Sequence, residues 1–388
     1  MDRLLAALLV LLVPAWASGD EPCAVFTPIG DLPGGSFLSI AHGVSADGTT
    51  VVGESDSDSG REAFRWTAAT GIEGLGDLPG ALFDSRANAV SDDGSVIVGL
   101  GRPTDSYSDA EAFRWTAGGG MESLGDFEGG DRVSEATGVS GDGSIVVGYG
   151  HAADGEWAFR WTAAEGLVPL SLFDGTRATA ISRDGETVLG DAADLPTPGF
   201  WRPPISYLVR WTGSTGYQLL GSFDSEGGGS LTAASSDGSI AVGVWFSPAD
   251  PASDPLLYAA HATRWDSRAV LEALGDPPGA LLSSAKGVSG DGSVAVGVAD
   301  RNMGGEACIW DPGPHFLADM LRDRCGLDLD GWTLLSADGI SADGHTIAGT
   351  GINPDGNVEA WLVRLPELGS AASAIAAVLV LLGLRRLA

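Results

Sequence analysis

The segment Asp56-Ser57-Asp58-Ser59-Gly60-Arg61-Glu62 sets three carboxylates, Asp56, Asp58 and Glu62, around a glycine. Alternate carboxylates in a Gly-containing loop converge on a hard cation, so these three are the candidate calcium ligands; an exposed acidic loop is the plain alternative. A second acidic series, Asp47, Asp93, Asp142, Asp184, Asp237, Asp291 and Asp343, runs along the whole chain, each residue directly before a glycine. Asp in that position caps its own turn and tolerates left-handed geometry, which is a sufficient structural cause. The histidines (His42, His151, His261, His315, His345) share no metal-ligand spacing, so no zinc-type site is expected. No Gly-x-Ser-x-Gly elbow stands between a strand and a helix, so a hydrolase triad lacks its setting. No catalytic or cofactor-binding residue is assigned, and calcium is the one cofactor the pattern admits.

These groups must be held by something, and composition limits what. The 388 residues carry 52 acidic against 21 basic side chains, a net charge of −31, with Lys286 the only lysine. Such a surface repels nucleic acid and excludes it as a partner. With 44 % hydrophobic residues and 12 Trp the chain can bury a substantial core, which argues against wholesale disorder. Three cysteines, Cys23, Cys308 and Cys325, are too few for a disulfide scaffold and show no Cys-x-x-Cys spacing. One bridge and one leftover thiol are allowed, and the sequence does not choose the pair. Cys308 occupies a strand slot otherwise filled by apolar residues, which sets Cys23–Cys325 slightly ahead.

Three markers recur in fixed order. The first is a Ser-x-Asp-Gly turn, as in Val44-Ser45-Ala46-Asp47-Gly48 and Val139-Ser140-Gly141-Asp142-Gly143. Its glycines fall at 48, 94, 143, 185, 238, 292 and 344, spacings of 46, 49, 42, 53, 54 and 52 residues. The second is Glu-Ala-Phe-Arg-Trp, at Glu62–Trp66 and Glu111–Trp115, decaying through later copies to Ala360-Trp361-Leu362-Val363. The third is Leu-Gly-Asp-Leu-Pro-Gly, at Leu75–Gly80 and, in altered form, near the end of most units. Asp-Gly between β-branched runs signals a hairpin, and the alternating Phe-Arg-Trp segment places Phe64 and Trp66 on one face and Arg65 on the other. Four short strands per repeat of about 49 residues match a propeller blade. The fold class is therefore all-β, a seven-bladed β-propeller.

The phase of the markers predicts how the ring closes. The last unit ends near Leu365 without a fourth strand, while Ala24–Ile29 precedes the first turn and is expected to supply it. Pairing both ends in one sheet removes the free edges of an open array. A short helix is expected over His315–Cys325, and proline-rich insertions at Pro196–Pro204 and Pro248–Pro255 are expected to be non-strand. The arginines Arg65, Arg114, Arg160, Arg210 and Arg264 are positioned to pair with the repeated aspartates, and the Trp series is expected in blade cores.

The two ends read as addresses. Arg3, the apolar run Leu4–Val13 and Ala15-Trp16-Ala17 make residues 1–17 a secretory signal peptide. At the other end, Leu365-Pro366-Glu367-Leu368 precedes an uncharged stretch to Leu384 and then Arg385-Arg386. As a helix, 368–384 would measure about 26 Å, barely a span. This tripartite tail, 366–388, resembles the PEP-CTERM class of bacterial sorting signals, which implies recognition by an exosortase-type enzyme. The intervening 24–365, through its three markers, resembles the bacterial HAF extracellular repeat family. That resemblance implies an exported repeat protein and supplies no catalytic residues.

The functional expectation is an exported propeller, attached to the cell surface through its tail. It would act as a binding or structural module for envelope or extracellular polymers or proteins. The alternative is a polysaccharide-acting enzyme, a lyase or hydrolase, with a site in the channel or the loops. Against it stands the symmetry of the repeats, since no single unit carries a distinctive cluster of titratable residues.

Overall fold

A computed structural model describes residues 23–366 apart from 81, 171–174, 194–205, 223–227, 249–257, 267–269 and 302–303. The export segment, the apolar tail and the proline-rich insertions lie outside the described residues, except Pro248, which ends a strand. Among the described residues no helix is long and apolar enough to cross a membrane.

The chain is built almost wholly of antiparallel strands. After β1 (Val25–Gly30), the first unit contains β2 (Gly34–Val44), β3 (Thr50–Ser57), β4 (Gly60–Thr67) and β5 (Gly71–Gly74). The second contains β6 (Ser85–Val90), β7 (Val96–Gly101), β8 (Glu111–Thr116) and β9 (Gly120–Gly125), and the third β10 (Ser134–Val139), β11 (Ile145–Ala152), β12 (Gly155–Thr162) and β13 (Gly166–Pro169). The fourth has β14 (Thr176–Ile181), β15 (Thr187–Ala193), β16 (Ser206–Thr212) and β17 (Gly216–Ser222), and the fifth β18 (Gly228–Ala234), β19 (Ile240–Pro248), β20 (Tyr258–Asp266) and β21 (Leu271–Ala273). The sixth has β22 (Leu282–Val288), β23 (Ala295–Arg301), β24 (Gly304–Trp310) and β25 (Pro314–Phe316), followed by the helix α1 (Leu317–Cys325). Three strands end the chain: β26 (Thr333–Ile340), β27 (Thr346–Ile352) and β28 (Val358–Arg364).

Units two to six each form a separate four-stranded sheet. The first unit and the last three strands share one eight-stranded sheet through a single parallel bridge, Leu38 to Val358. Its eighth member is β1, which pairs antiparallel with β28, from Val25 opposite Arg364 to Gly30 opposite Ala360. The expected pairing of the two ends is therefore present. Its seam repeats the joints elsewhere: Ser39 Oγ donates to the Gly30 carbonyl at 2.6 Å and accepts the Ala360 amide at 2.9 Å. Ser85 does the same for Gly76 and Ala63, and Ser134 for Gly125 and Ala112. Gly30 thus stands where a fourth strand of the preceding unit ends. Cys23 and Cys325 form a disulfide with 5.0 Å between Cα atoms, tying the start of β1 to the end of α1. The leftover thiol, Cys308, is buried, as its apolar slot required.

The marker residues explain the sheets. In the first turn Ser45 Oγ donates to Asp47 Oδ1 at 2.6 Å and accepts the Thr50 amide at 2.9 Å, while Asp47 Oδ1 accepts the Thr49 amide at 3.0 Å. All seven turns carry the Ser-to-Asp bond, at 2.5–3.0 Å. Gly94 is needed there twice over: its φ is +73°, and a Cβ would overlap Thr50 of the preceding unit. The turns also bond one another. The amide of Asp92 meets the Gly141 carbonyl, Gly141 meets Arg183, Arg183 meets Ser236, Ser236 meets Gly290, Gly290 meets Ala342, Ala342 meets Ala46, and Asp47 meets Asp92, all at 2.8–3.3 Å. This chain of bonds returns to its start.

The core lies between neighbouring sheets. Phe64, Phe113 and Phe159, the marker phenylalanines, are fully buried, and burying one such side chain stabilises by roughly 1.5–3 kcal/mol. Across the join of the chain ends, Val51, Phe64 and Trp66 pack with Ile29, Ala348, Ala360 and Leu362. Trp66, Trp265, Trp310 and Trp361 are buried, in keeping with a core role for the Trp series.

Candidate functional site

The seven first strands, β2, β6, β10, β14, β18, β22 and β26, surround a cavity of about 240 Å³, each contributing three consecutive residues. Every one of these strands shifts register by one residue at the same place in the repeat, three positions before the turn serine. The cause is legible in the partner strand. A Cβ at Gly148 would overlap the Glu135 carbonyl, and the same holds for the equivalent glycine of every other unit, from Gly53 against Ile40 to Gly349 against Ser336. The glycine lets the first strand press inward and bulge, and a bulge re-aims a side chain. The bulged residues are His42, Asn88, Thr137, Thr179, Thr232, Lys286 and Asp338, all of which line the cavity.

Their roles divide around the ring. Asn88 Nδ2 donates to the Ala136 carbonyl at 2.9 Å, Thr137 Oγ1 to Ala178 at 2.8 Å and Thr232 Oγ1 to Ala285 at 2.8 Å, so these sew adjacent strands together. Lys286 Nζ donates to Asp338 Oδ1 at 2.6 Å, and Ser336 Oγ donates to the other oxygen at 2.6 Å. His42 differs from all of these: its Nε2 is shut off from solvent and has no protein partner. Burial, opposed by Glu54 and assisted by Arg86, holds its imidazole below the usual histidine range.

A band of charge runs from the second unit to the fourth, joined to the cavity-lining residues through Asn88. Glu135 accepts from Arg86 at 2.6 Å, from Asn88 at 2.9 Å and from the Tyr149 hydroxyl at 2.6 Å. Arg177 lies over the Tyr149 ring, 4.6 Å from its centre, and grips Glu156 with two bonds of 2.6 and 2.8 Å. Burial, followed by the charge of Glu135, raises the Tyr149 phenol. Burial likewise pushes Asp191 up to about 6, against the hydrogen bond from Ser230 and the charge of Arg177. Beside Glu156, His151 and Asp131 line a second, open pocket of about 360 Å³.

These contacts gather titratable side chains across the joints between units. Glu135, Tyr149 and Glu156 belong to the third unit, and they meet Arg86 and Asn88 of the second and Arg177 of the fourth. The sequence signal is the position three before the turn serine, polar or charged in every unit: threonine in three units and His, Asn, Lys and Asp in the other four. The only lysine stands in it.

The proposed calcium ligands are placed apart from that site. Asp56 takes the Arg61 guanidinium at 2.6 Å and accepts from Ser36. Glu62 lies on the other face of the β3–β4 hairpin, since Asp56 pairs with Arg61 and Ser55 with Glu62, and it accepts the Gly76 amide at 2.9 Å. Asp58 stands at the hairpin end, beside Gly34. Among the described residues no three His, Cys, Asp or Glu side chains are grouped to hold a metal ion. The strand arginines make no ion pair with the turn aspartates among the described residues; Arg160 reaches Glu165 instead, at 2.9 Å. The turn carboxylates are already held by hydroxyls and amides: at Asp184 the Ser182 hydroxyl and then the Glu186 amide keep the carboxyl below its ordinary range.

No family model matches the chain, and no curated protein matches it. Among solved structures, oligogalacturonate lyase from Vibrio parahaemolyticus is similar over 89 % of this chain and 99 % of its own, at 11 % identity and a TM-score of 0.53. TolB from Acinetobacter baumannii is similar over 70 % of this chain, at 14 % identity and a TM-score of 0.43, and this chain spans 60 % of it. An acylaminoacyl peptidase from Pyrococcus horikoshii matches at 11 % identity and a TM-score of 0.49, with 46 % of its length covered. At such identities the lyase likeness bears on fold alone. Together with the sheet arrangement it defines the class: an all-β protein of β-propeller-like fold.

Proposed function

We propose that the protein is an exported seven-bladed propeller, closed by its N-terminal strand, that serves as a binding module for polymers or proteins of the cell envelope or matrix. In this reading residues 1–17 direct export, the 366–388 tail attaches the protein to the membrane or hands it to a sorting enzyme, and 24–365 is a HAF-type repeat domain. One observation carries the binding role: seven equivalent positions line one cavity and bear three threonines with a histidine, an asparagine, a lysine and an aspartate, of which His42 keeps an unpartnered buried nitrogen. A purely structural ring has no need of that variety, and buried polar atoms are ordinarily satisfied.

The test uses the full chain expressed in an exporting bacterium. Recovery in the envelope fraction with residues 1–17 removed, and retention of the purified protein on extracted envelope polysaccharide, is the expected result. An intact N-terminus in the cytoplasm, or no retention on any envelope fraction, would sink the reading.

A second reading, a polysaccharide-acting lyase or hydrolase, draws support from Asp191. A carboxyl raised to about 6 beside Arg177 is suited to proton transfer near neutral pH. Turnover of a polysaccharide, abolished by Asp191→Asn in a protein that still folds, would favour it over simple binding.

A further inference from the structure

We infer that the Cys23–Cys325 disulfide is a redox-sensitive latch. Intact, it holds β1 against β28; reduced by a dithiol, it lets the first half of β1 come away while the other units stay folded.

The bridge joins residues 302 apart in the chain. Cys23 and Cys325 are both half-buried, within reach of a dithiol, whereas Cys308 is sealed in a core. The step is an exchange in two parts. A thiolate of the reductant attacks one sulfur of the bridge, forming a mixed disulfide, and the other cysteine sulfur leaves as a thiolate. The second thiol of the reductant then displaces the remaining cysteine. The dithiol ends as a disulfide, and its two protons pass to Cys23 and Cys325, which end as thiols.

The two ends of β1 are held in different ways. At the far end the Gly30 amide donates to Glu359 Oε1 at 2.9 Å, and the Gly30 carbonyl accepts from Ser39 at 2.6 Å. At the Cys23 end the ladder is short. It runs from Val25 opposite Arg364 to Pro28 opposite Trp361, then breaks register before Gly30. Pro28 has no N–H to give, and among the described residues no strand pairs with the other side of β1. Packing adds Ala24, which is buried, and Phe26, edge-on to Trp332 at 5.1 Å and stacked near Trp361 at 6.2 Å.

An edge strand with so few bonds opens locally at low cost. The disulfide opposes that opening because its other end is fixed. Cys325 closes α1, whose Leu317, Met320 and Leu321 are buried. Cutting the bond therefore frees the Cys23 side and leaves the helix in place. The opening uncovers the outer edge of β28 and one face of Trp361, which is fully buried while β1 is seated.

The experiment is hydrogen exchange read by mass spectrometry on the purified full chain, before and after dithiothreitol, with free thiols counted alongside. Reduction without denaturant is expected, with exchange faster by about tenfold or more in Val25–Thr27 and along β28 and unchanged in units two to five. Oxidised glutathione should restore the protection, and Cys23→Ser should show the fast exchange with no reductant present. A bridge that resists dithiothreitol in the folded protein, or unchanged exchange in β1 after reduction, would overturn the inference. So would exchange that rises throughout the chain, protection that oxidised glutathione does not restore, or slow exchange of β1 in a folded Cys23→Ser protein. Should that variant fail to fold, the parent's response to reduction and reoxidation decides.

Discussion

The turn serine and the residue three places before it lie on one strand, yet they differ in how the repeats treat them. Ser45, Ser91, Ser140, Ser182, Ser235, Ser289 and Ser341 make the same bond to an aspartate in all seven units. His42, Asn88, Thr137, Thr179, Thr232, Lys286 and Asp338 share a backbone position, but apart from the three threonines they differ in chemistry. A part that recurs unchanged is solving a local problem posed identically in each unit, here the closing of a tight turn against its neighbour. A part that varies at a shared position has no common local problem, and its partners lie in the adjacent unit.

Perturbing the two regions should separate them. The largest effect is expected from Gly94→Val, which meets both a forbidden φ and the side chain of Thr50; strain and overpacking together predict a loss of about 4 kcal/mol in chemical denaturation. Ser182→Ala strands the Thr187 amide and frees Asp184, and should cost about 1–3 kcal/mol by the same assay.

Titration gives a third comparison. The turn carboxyls Asp93, Asp142, Asp184, Asp237 and Asp291 are held below their ordinary range chiefly by hydroxyl and amide donors. Their stabilisation is present above the unfolded value of about 3.9 and disappears as pH falls through the depressed folded values. Melting temperature should drop steeply below about pH 4. Asp191 runs the other way. Its raised folded value, about 6, means the folded state binds the proton more tightly, so stability from this group declines as pH rises from about 4 to 6. Asp191→Asn should therefore raise the melting point at pH 8 relative to the parent, by the equivalent of about 1–3 kcal/mol, and leave it unchanged near pH 4.

The smallest effect is expected in the channel. Lys286→Met removes one member of a partly exposed ion pair and should change stability by no more than about 1 kcal/mol. A loss as large as that of Gly94→Val would erase the distinction between the two regions.

The repeat, the four-strand units and the pairing of Ala24–Ile29 with the last strand were legible because each is written in local chemistry. Asp-Gly turns, alternating Phe-Arg-Trp segments and a missing fourth strand are patterns within a few dozen residues. The helix over Leu317–Cys325 was legible from the spacing of Phe316, Met320 and Leu321. The acidic trio shows where local spacing stops being informative. Three carboxylates close in sequence looked convergent, but the pleat of the β3–β4 hairpin sends Asp56 and Glu62 to opposite faces. The expected pairing of strand arginines with turn aspartates failed because the turn serines and amides already occupy those carboxylates.

The sequence by itself determined the turns, the hairpins, and the glycines that permit a positive φ. It also carried the buried position of Cys308 through the apolar slot that the thiol fills. Only the tertiary structure decided how side chains of adjacent units meet, and hence that Glu135 gathers Arg86 and Asn88 of the preceding unit as well as Tyr149 of its own. Periodicity along the chain specifies which face of a strand is buried. It says nothing of what stands opposite, because those neighbours are some fifty residues away and meet only when the sheets assemble around a common centre.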